Sequence, residues 1–156
     1  MLNLDLAAHQ DLFEEVEIFL ACRELKSQDI LSKSDPKLKI FLIQEGKETF
    51  LGETEVLKDN PNPNFEKTFS FHYQFEIPQK LKICLYDYNT LGKDDFIAEV
   101  SEQVGKIAAT GISKLPFLDK KGKNIGHVTF LFHLNFKNMF NESRIQFLLN
   151  QKFFAN

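Results

Sequence analysis

Residues 128–136 read Val-Thr-Phe-Leu-Phe-His-Leu-Asn-Phe, with Val128, Phe130, Phe132, Leu134 and Phe136 at every second position. Side chains of an extended chain point alternately to its two faces, so this run lines one face with apolar groups. That is a strand with one dry side and one wet side, as antiparallel sheets require. The same rhythm recurs upstream. Val16, Ile18, Leu20 and Cys22 share a face opposite Glu15 and Glu17, and Leu38, Ile40 and Leu42 stand opposite Lys37 and Lys39. Phe69, Phe71, Tyr73 and Phe75 alternate with Ser70, His72 and Gln74, and Leu81, Ile83 and Leu85 with Lys80 and Lys82.

Turn chemistry separates these runs. Asp59-Asn60-Pro61-Asn62-Pro63-Asn64 reads as a loop, because its prolines remove ladder donors and its asparagines tolerate tight turns. Gly92 and Gly122 mark two more turns. Short strands at close spacing with little helical periodicity predict an all-β, eight-stranded antiparallel β-sandwich. Its expected core holds Val16, Ile18, Leu20, Phe69, Phe71, Leu81, Ile83, Phe130 and Phe132. A short helical connector is expected after Ser101, running to about Ala109.

The sandwich is expected over residues 15–136. Residues 1–14 form an N-terminal extension, carrying Leu2, Leu4, Leu6, Leu12 and Phe13, that either docks as a helix or frays. Residues 137–156 form an apolar C-terminal tail with Met139, Phe140, Ile145, Phe147, Leu148 and Leu149, which should pack on something. The 156 residues suffice for one domain with its own core. A net charge of -3 argues against nucleic acid as the main partner, since phosphate binding wants a basic excess. It does not argue against a membrane, because a bound cation reverses local charge. The N-terminus lacks the basic start and apolar run of a signal peptide, and no stretch approaches the ~20 apolar residues of a bilayer span. Cys22 and Cys84 sit inside apolar runs without ligand spacing and read as buried thiols of a reducing compartment. The sequon at Asn141 is then incidental.

The acidic residues gather between strands. Asp29 and Asp35 flank the first inter-strand loop; Asp87 and Asn89 follow the strand at 81–86, and Asp94 and Asp95 close that loop. Asp87 and Asn89, two apart on an extended chain, face one spot. If both loops lie at one end, their oxygens form a cup suited to calcium, which takes 6–8 oxygen ligands, and less suited to magnesium. Two simpler causes would produce the same pattern. Aspartate is common in turns for its own sake, and Lys33 or Lys93 could supply the counter-charge in place of a metal. The four histidines form no ligand-spaced cluster, and no serine or cysteine nucleophile has a base signature around it. Nothing points to an enzyme.

Three strings, Ser32-Lys-Ser-Asp-Pro36, Gly52–Phe65 (GETEVLKDNPNPNF) and Tyr86–Phe96 (YDYNTLGKDDF), resemble a C2 domain. The resemblance runs over roughly residues 15–136 and is nearest to the copines, calcium-responsive proteins with two C2 domains followed by a von Willebrand factor A-type domain. The final stretch, KGKNIGHVTFLF and ESRIQFLLNQKFFAN, is similar to the passage from the second copine C2 domain into the start of that A-type domain. The resemblance implies a C2-type sandwich with a calcium site at Asp29, Asp35, Asp87, Asn89 and Asp95. Asn89 stands where the family usually has aspartate, Leu91 where another acid is frequent, and Ala98 replaces a common glycine. Fewer charged ligands imply weaker calcium binding. Where the A-type domain would present its metal-binding Asp-x-Thr-x-Ser, residues 152–156 read KFFAN, so no second metal site is expected there.

Ile30 and Leu31, between the first two candidate ligands, and Leu91, at the tip of the other loop, are the candidate membrane contacts. Lone exposed apolar residues are also ordinary. Lys37, Lys39, Lys80 and Lys82 could attract anionic lipid, although a solvated strand face accounts for them as well. The expectation is a calcium-dependent phospholipid-binding module that docks to anionic phospholipid membranes through acidic loops. It would be cytoplasmic and peripherally associated with the inner face of membranes. The alternative is a calcium-insensitive C2-fold subunit of a larger assembly, meeting a protein partner through the tail and the N-terminal extension.

Overall fold

The computed structural model describes residues 13–26 and 35–134. Residues 1–12 and 135–156, and Asp29, Ile30, Leu31 and Lys33 of the first loop, lie outside the described residues, while Phe13 and Glu14 of the expected extension open the first strand. Eight strands and one short helix follow in the order β1 (Phe13–Arg23), β2 (Pro36–Gln44), β3 (Lys47–Glu53), β4 (Phe69–Gln74), β5 (Gln79–Asp87), β6 (Asp95–Gln103), α1 (Val104–Thr110), β7 (Ile112–Leu118) and β8 (Asn124–Leu134). They form two four-stranded antiparallel sheets, ordered β4-β1-β8-β7 and β3-β2-β5-β6. The expected eight-stranded sandwich and its helical connector are both present.

Alternation becomes packing in the way the pattern predicts, except at Phe75, which lies beyond the end of β4 and is 71% exposed. Val16, Ile18, Leu20 and Cys22 from β1 face inward with Phe69, Phe71 and Tyr73 from β4 and Val128, Phe130 and Phe132 from β8. Across the interlayer they meet Leu38, Ile40, Leu81, Ile83 and Leu85 of the second sheet. Phe132 sits edge-on to both Phe71 and Tyr73, with ring centroids 6.2 and 6.4 Å apart, an arrangement aromatic quadrupoles favour. All nine residues expected in the core are buried. Helix α1 adds Val104 and Ile107 to the core and stops at Gly111, whose φ of 74° provides the left-handed C-cap.

Register fixes which loops meet. Pro36 pairs with Asp87 and Asp87 with Asp95, so β2 begins where β5 ends and β6 begins. Cys22 pairs with Val128 and Leu118 with Asn124, which puts the end of β1 beside the β7–β8 turn. The 59–64 loop is tied to the same end by Leu25 N–H to Pro61 O at 3.0 Å and Cys22 N–H to Pro63 O at 2.9 Å. The opposite end is where Val16 pairs with Leu134, so the domain's first and last strands start and finish side by side.

Candidate functional site

Asp35, Asp87, Asn89 and Asp95 stand at the loop end, and the backbone explains why. Asp35 is the last residue before β2, Asp87 ends β5, and Asp95 opens β6 directly opposite it. The loops are laced together through the carboxylates themselves. Asp35 N–H donates to Asp87 Oδ1 at 2.7 Å, Asp59 N–H donates to Asp35 Oδ1 at 2.9 Å, and Tyr88 N–H donates to Asp35 O at 3.0 Å. Within the 87–95 loop, Asn89 Nδ2 donates to Asp95 Oδ2 at 2.9 Å and to Lys93 O at 3.5 Å. Leu91 is 100% exposed at the tip.

The neighbouring acid behaves differently. Asp94 is paired with Lys37, which also reaches Glu53 Oε1 at 3.5 Å. The Lys37 hydrogen bond is the main reason that Asp94 is held below the usual aspartate range. Burial pulls Lys37 downward, but the hydrogen bond to Asp94 and the attraction of Glu53 outweigh it, so its pKa is raised. The counter-charge in this loop therefore comes from β2. Lys93 makes no ion pair among the described residues, and Asp95 has no basic side chain within ion-pair distance there either.

This pairing also changes the reading of the strand lysines. Lys37 is buried, with a relative exposure of 8%. Lys82 pairs with Glu48 and lies over the Phe41 ring at 4.7 Å, and Lys39 lies over the Tyr86 ring at 4.6 Å. Lys80 alone of the four is exposed, with no ion pair among the described residues, so the strand face is solvated there and occupied at the other three. Glutamates on β3 and aromatic rings occupy their charges.

Asp87 and Asp95 are cross-strand partners and offer carboxylate oxygens, the donors a hard cation takes. Turning the Asn89 amide about its last bond exchanges its nitrogen for an oxygen directed at Asp95. Among the described residues no group of three acidic, histidine or cysteine side chains is arranged to hold a metal. One Asp35 oxygen is taken by the Asp59 amide. An open pocket of about 470 Å³ adjoins the pair, lined by Asp87, Asp95, Phe96 and Ile97 on one side and Asp119, Lys120 and Lys121 on the other. The last three, on the β7–β8 turn, escaped the sequence reading, which took Gly122 only as a turn marker. The Asp-Lys-Lys-Gly-Lys string at 119–123 carried the signal.

No helix among the described residues is long and apolar enough to cross a membrane. Cys22 and Cys84 are buried free thiols, as expected, and burial pushes them up to about 12 and about 11.

Comparison with known proteins agrees with this architecture. Copine-D of Dictyostelium discoideum is 34% identical over 125 residues, which are 74% of this chain and 24% of the copine. Synaptotagmin-B of Diplobatis ommata is 39% identical over 83 residues, covering 52% of this chain and 19% of the synaptotagmin. The chain thus spans about a quarter or less of the length of these relatives. A solved C2 domain superposes with a TM-score of 0.57 at 23% identity, over 78% of this chain and 97% of that one. The C2 domain pattern itself matches residues 15–117, and by that match, its copine-like sequence and its eight-stranded sandwich, the chain belongs to the C2 domain family.

Proposed function

We propose that the chain is a calcium-dependent phospholipid-binding module, acting at the cytoplasmic face of membranes through its acidic loop end. The observation that carries this reading is the meeting of Asp87 and Asp95 across one strand pair, with Asn89 between them and Asp35 hydrogen-bonded to Asp87. Asp87 and Asp95 would hold the ion, and Asn89 would add its amide oxygen. Asp35 supplies a further carboxylate, and Asp29, from the same inter-strand loop, joins them on the strength of the family resemblance. Bound there, calcium supplies positive charge and open coordination positions that lipid phosphates can fill. Leu91, fully exposed beside the site, enters the headgroup layer, as do Ile30 and Leu31 of the first loop.

The test is thermal unfolding with calcium and with chelator, followed by sedimentation with phosphatidylserine vesicles. Calcium at 100 times its dissociation constant should stabilise the native state by about 2.7 kcal/mol. Asp95→Asn and Asp87→Asn should abolish that gain, and vesicle binding should require calcium. Unfolding indifferent to calcium in the unmodified protein would sink the proposal. One observation favours a second reading, a calcium-insensitive interaction subunit: backbone amides already hold Asp35 and Asp87 in place, so the loops are organised without a cation. Equal vesicle binding, or none, in calcium and chelator is the result that reading expects.

A further inference from the structure

The pocket beside Asp87 and Asp95 has a second wall of opposite charge. Its hairpin is locked by one side chain. Asp119 Oδ1 accepts the amides of Lys121 at 2.8 Å and Lys123 at 2.9 Å, while Asp119 N–H donates to Lys123 O at 2.9 Å. Those amide bonds, that from Lys123 first, hold the Asp119 carboxyl below the usual range. The turn closes through Gly122 at φ 78°, a conformation glycine adopts freely. The Asp119 oxygen facing the turn is thus spent on backbone, and the ammonium groups of Lys120, Lys121 and Lys123 have no ion-pair partner among the described residues. All three lysines are exposed. Lys26 donates to Asn124 O at 3.0 Å at the foot of the hairpin and adds a fourth positive charge. The nearest acid on the β1 side, Glu24, is directed to His127 at 3.6 Å.

Two facing walls, one acidic and one basic, with no described ion pair joining them, form a poor salt bridge but a good receptor. With a cation on the acidic wall, a group carrying several anionic oxygens can span them. We propose that Lys120 and Lys121, together with the Asp87–Asp95 wall, form a subsite for the phosphomonoester of a lipid headgroup. One phosphate oxygen reaches the cation held by the aspartates, and the others pair with the two lysines. The assignment rests on the calcium reading above for its acidic half only. A lipid is the source because Leu91, wholly exposed, marks the same end of the sandwich as the surface that meets the bilayer. The volume of about 470 Å³ is that of an ordinary small-molecule site.

The experiment compares phosphatidylcholine vesicles containing phosphatidic acid with vesicles containing phosphatidylserine at equal surface charge, in calcium. The unmodified protein should prefer phosphatidic acid. Lys120→Gln/Lys121→Gln should lose that preference, binding both vesicle types equally, while the general attraction of two basic side chains to an anionic surface falls alike for both. Lys114→Gln, exposed on β7 away from the turn, should keep it. The calcium-induced thermal shift of the double variant should be retained or enlarged, because the removed charges repel a cation. No preference in the unmodified protein, or an undiminished one in the double variant, overturns the proposal. Glycerol 3-phosphate in solution separates the two sources of phosphate: binding as tight as to the vesicles would overturn the lipid assignment, and much weaker binding supports it. A preference that persists in chelator and still needs Lys120 and Lys121 would leave the subsite standing while the calcium reading fell.

Discussion

Removing the Lys37 ammonium should loosen the loop end more than a surface ion pair would. The Lys37 side chain is 10% exposed and Asp94 15%, whereas Glu53 is 44% exposed. Breaking a fully buried pair costs about 3–5 kcal/mol, and an exposed pair contributes about 0.2–1 kcal/mol. A pair this close to the interior, with its second carboxylate half in water, belongs between those limits. Lys37→Met should therefore cost about 2 kcal/mol, and a double-mutant cycle with Asp94→Asn should return a coupling of about 1–2 kcal/mol. The sign of its pH dependence follows from the two shifts. Asp94 is depressed from 3.8, so its share is complete above that value and disappears as pH falls through the lower folded value. Lys37 is raised from 10.5, so its share is complete below that value and disappears as pH climbs beyond it. Urea denaturation across pH should show the coupling flat through neutrality and fading only in strong acid and strong alkali. A coupling below about 0.5 kcal/mol at neutral pH, or one that survives protonation of Asp94, would refute the argument.

Gly126→Ala should cost about 2–4 kcal/mol in the same assay. At φ 132° an added Cβ would lie 2.8 Å from Leu25 Cδ2 and 3.0 Å from Arg23 O. Cys22 and Cys84, pushed up to about 12 and about 11 by burial, should be silent toward a thiol reagent near neutral pH and react only on unfolding; rapid reaction in the native state would show the core to be open there.

Alternation was legible wherever a strand has one wet face and one dry face. It marked β1, β2, β4, β5 and β8, and every core residue expected from it is buried. Strands β3, β6 and β7 carry it too faintly to read, because their inward positions are few or only half-buried: β3 has no buried residue, while β6 and β7 each contribute one, Ala98 and Phe117. At the loop end, spacing along the chain suggested that Asp87 and Asn89 look toward one place. It could not reveal that Asp94 would be taken by Lys37, because that contact depends on β2 lying beside β5 with Pro36 against Asp87. The lysine hairpin was hidden for the same reason: its meaning depends on a neighbour from the other half of the chain.

The pairing of Val16 with Leu134 at the end remote from the loops has a bearing on how such a unit can be joined to others. Cross-strand neighbours in an antiparallel ladder are only about 4.5–5.5 Å apart, so the opening stretch of β1 lies beside the last described residue of β8. A domain with that plumbing can be slotted into a longer polypeptide, or hung from one, without displacing what lies on either side. The end carrying Asp87 and Asp95 is the one remote from that junction, so a connection made there leaves the loop end uncovered.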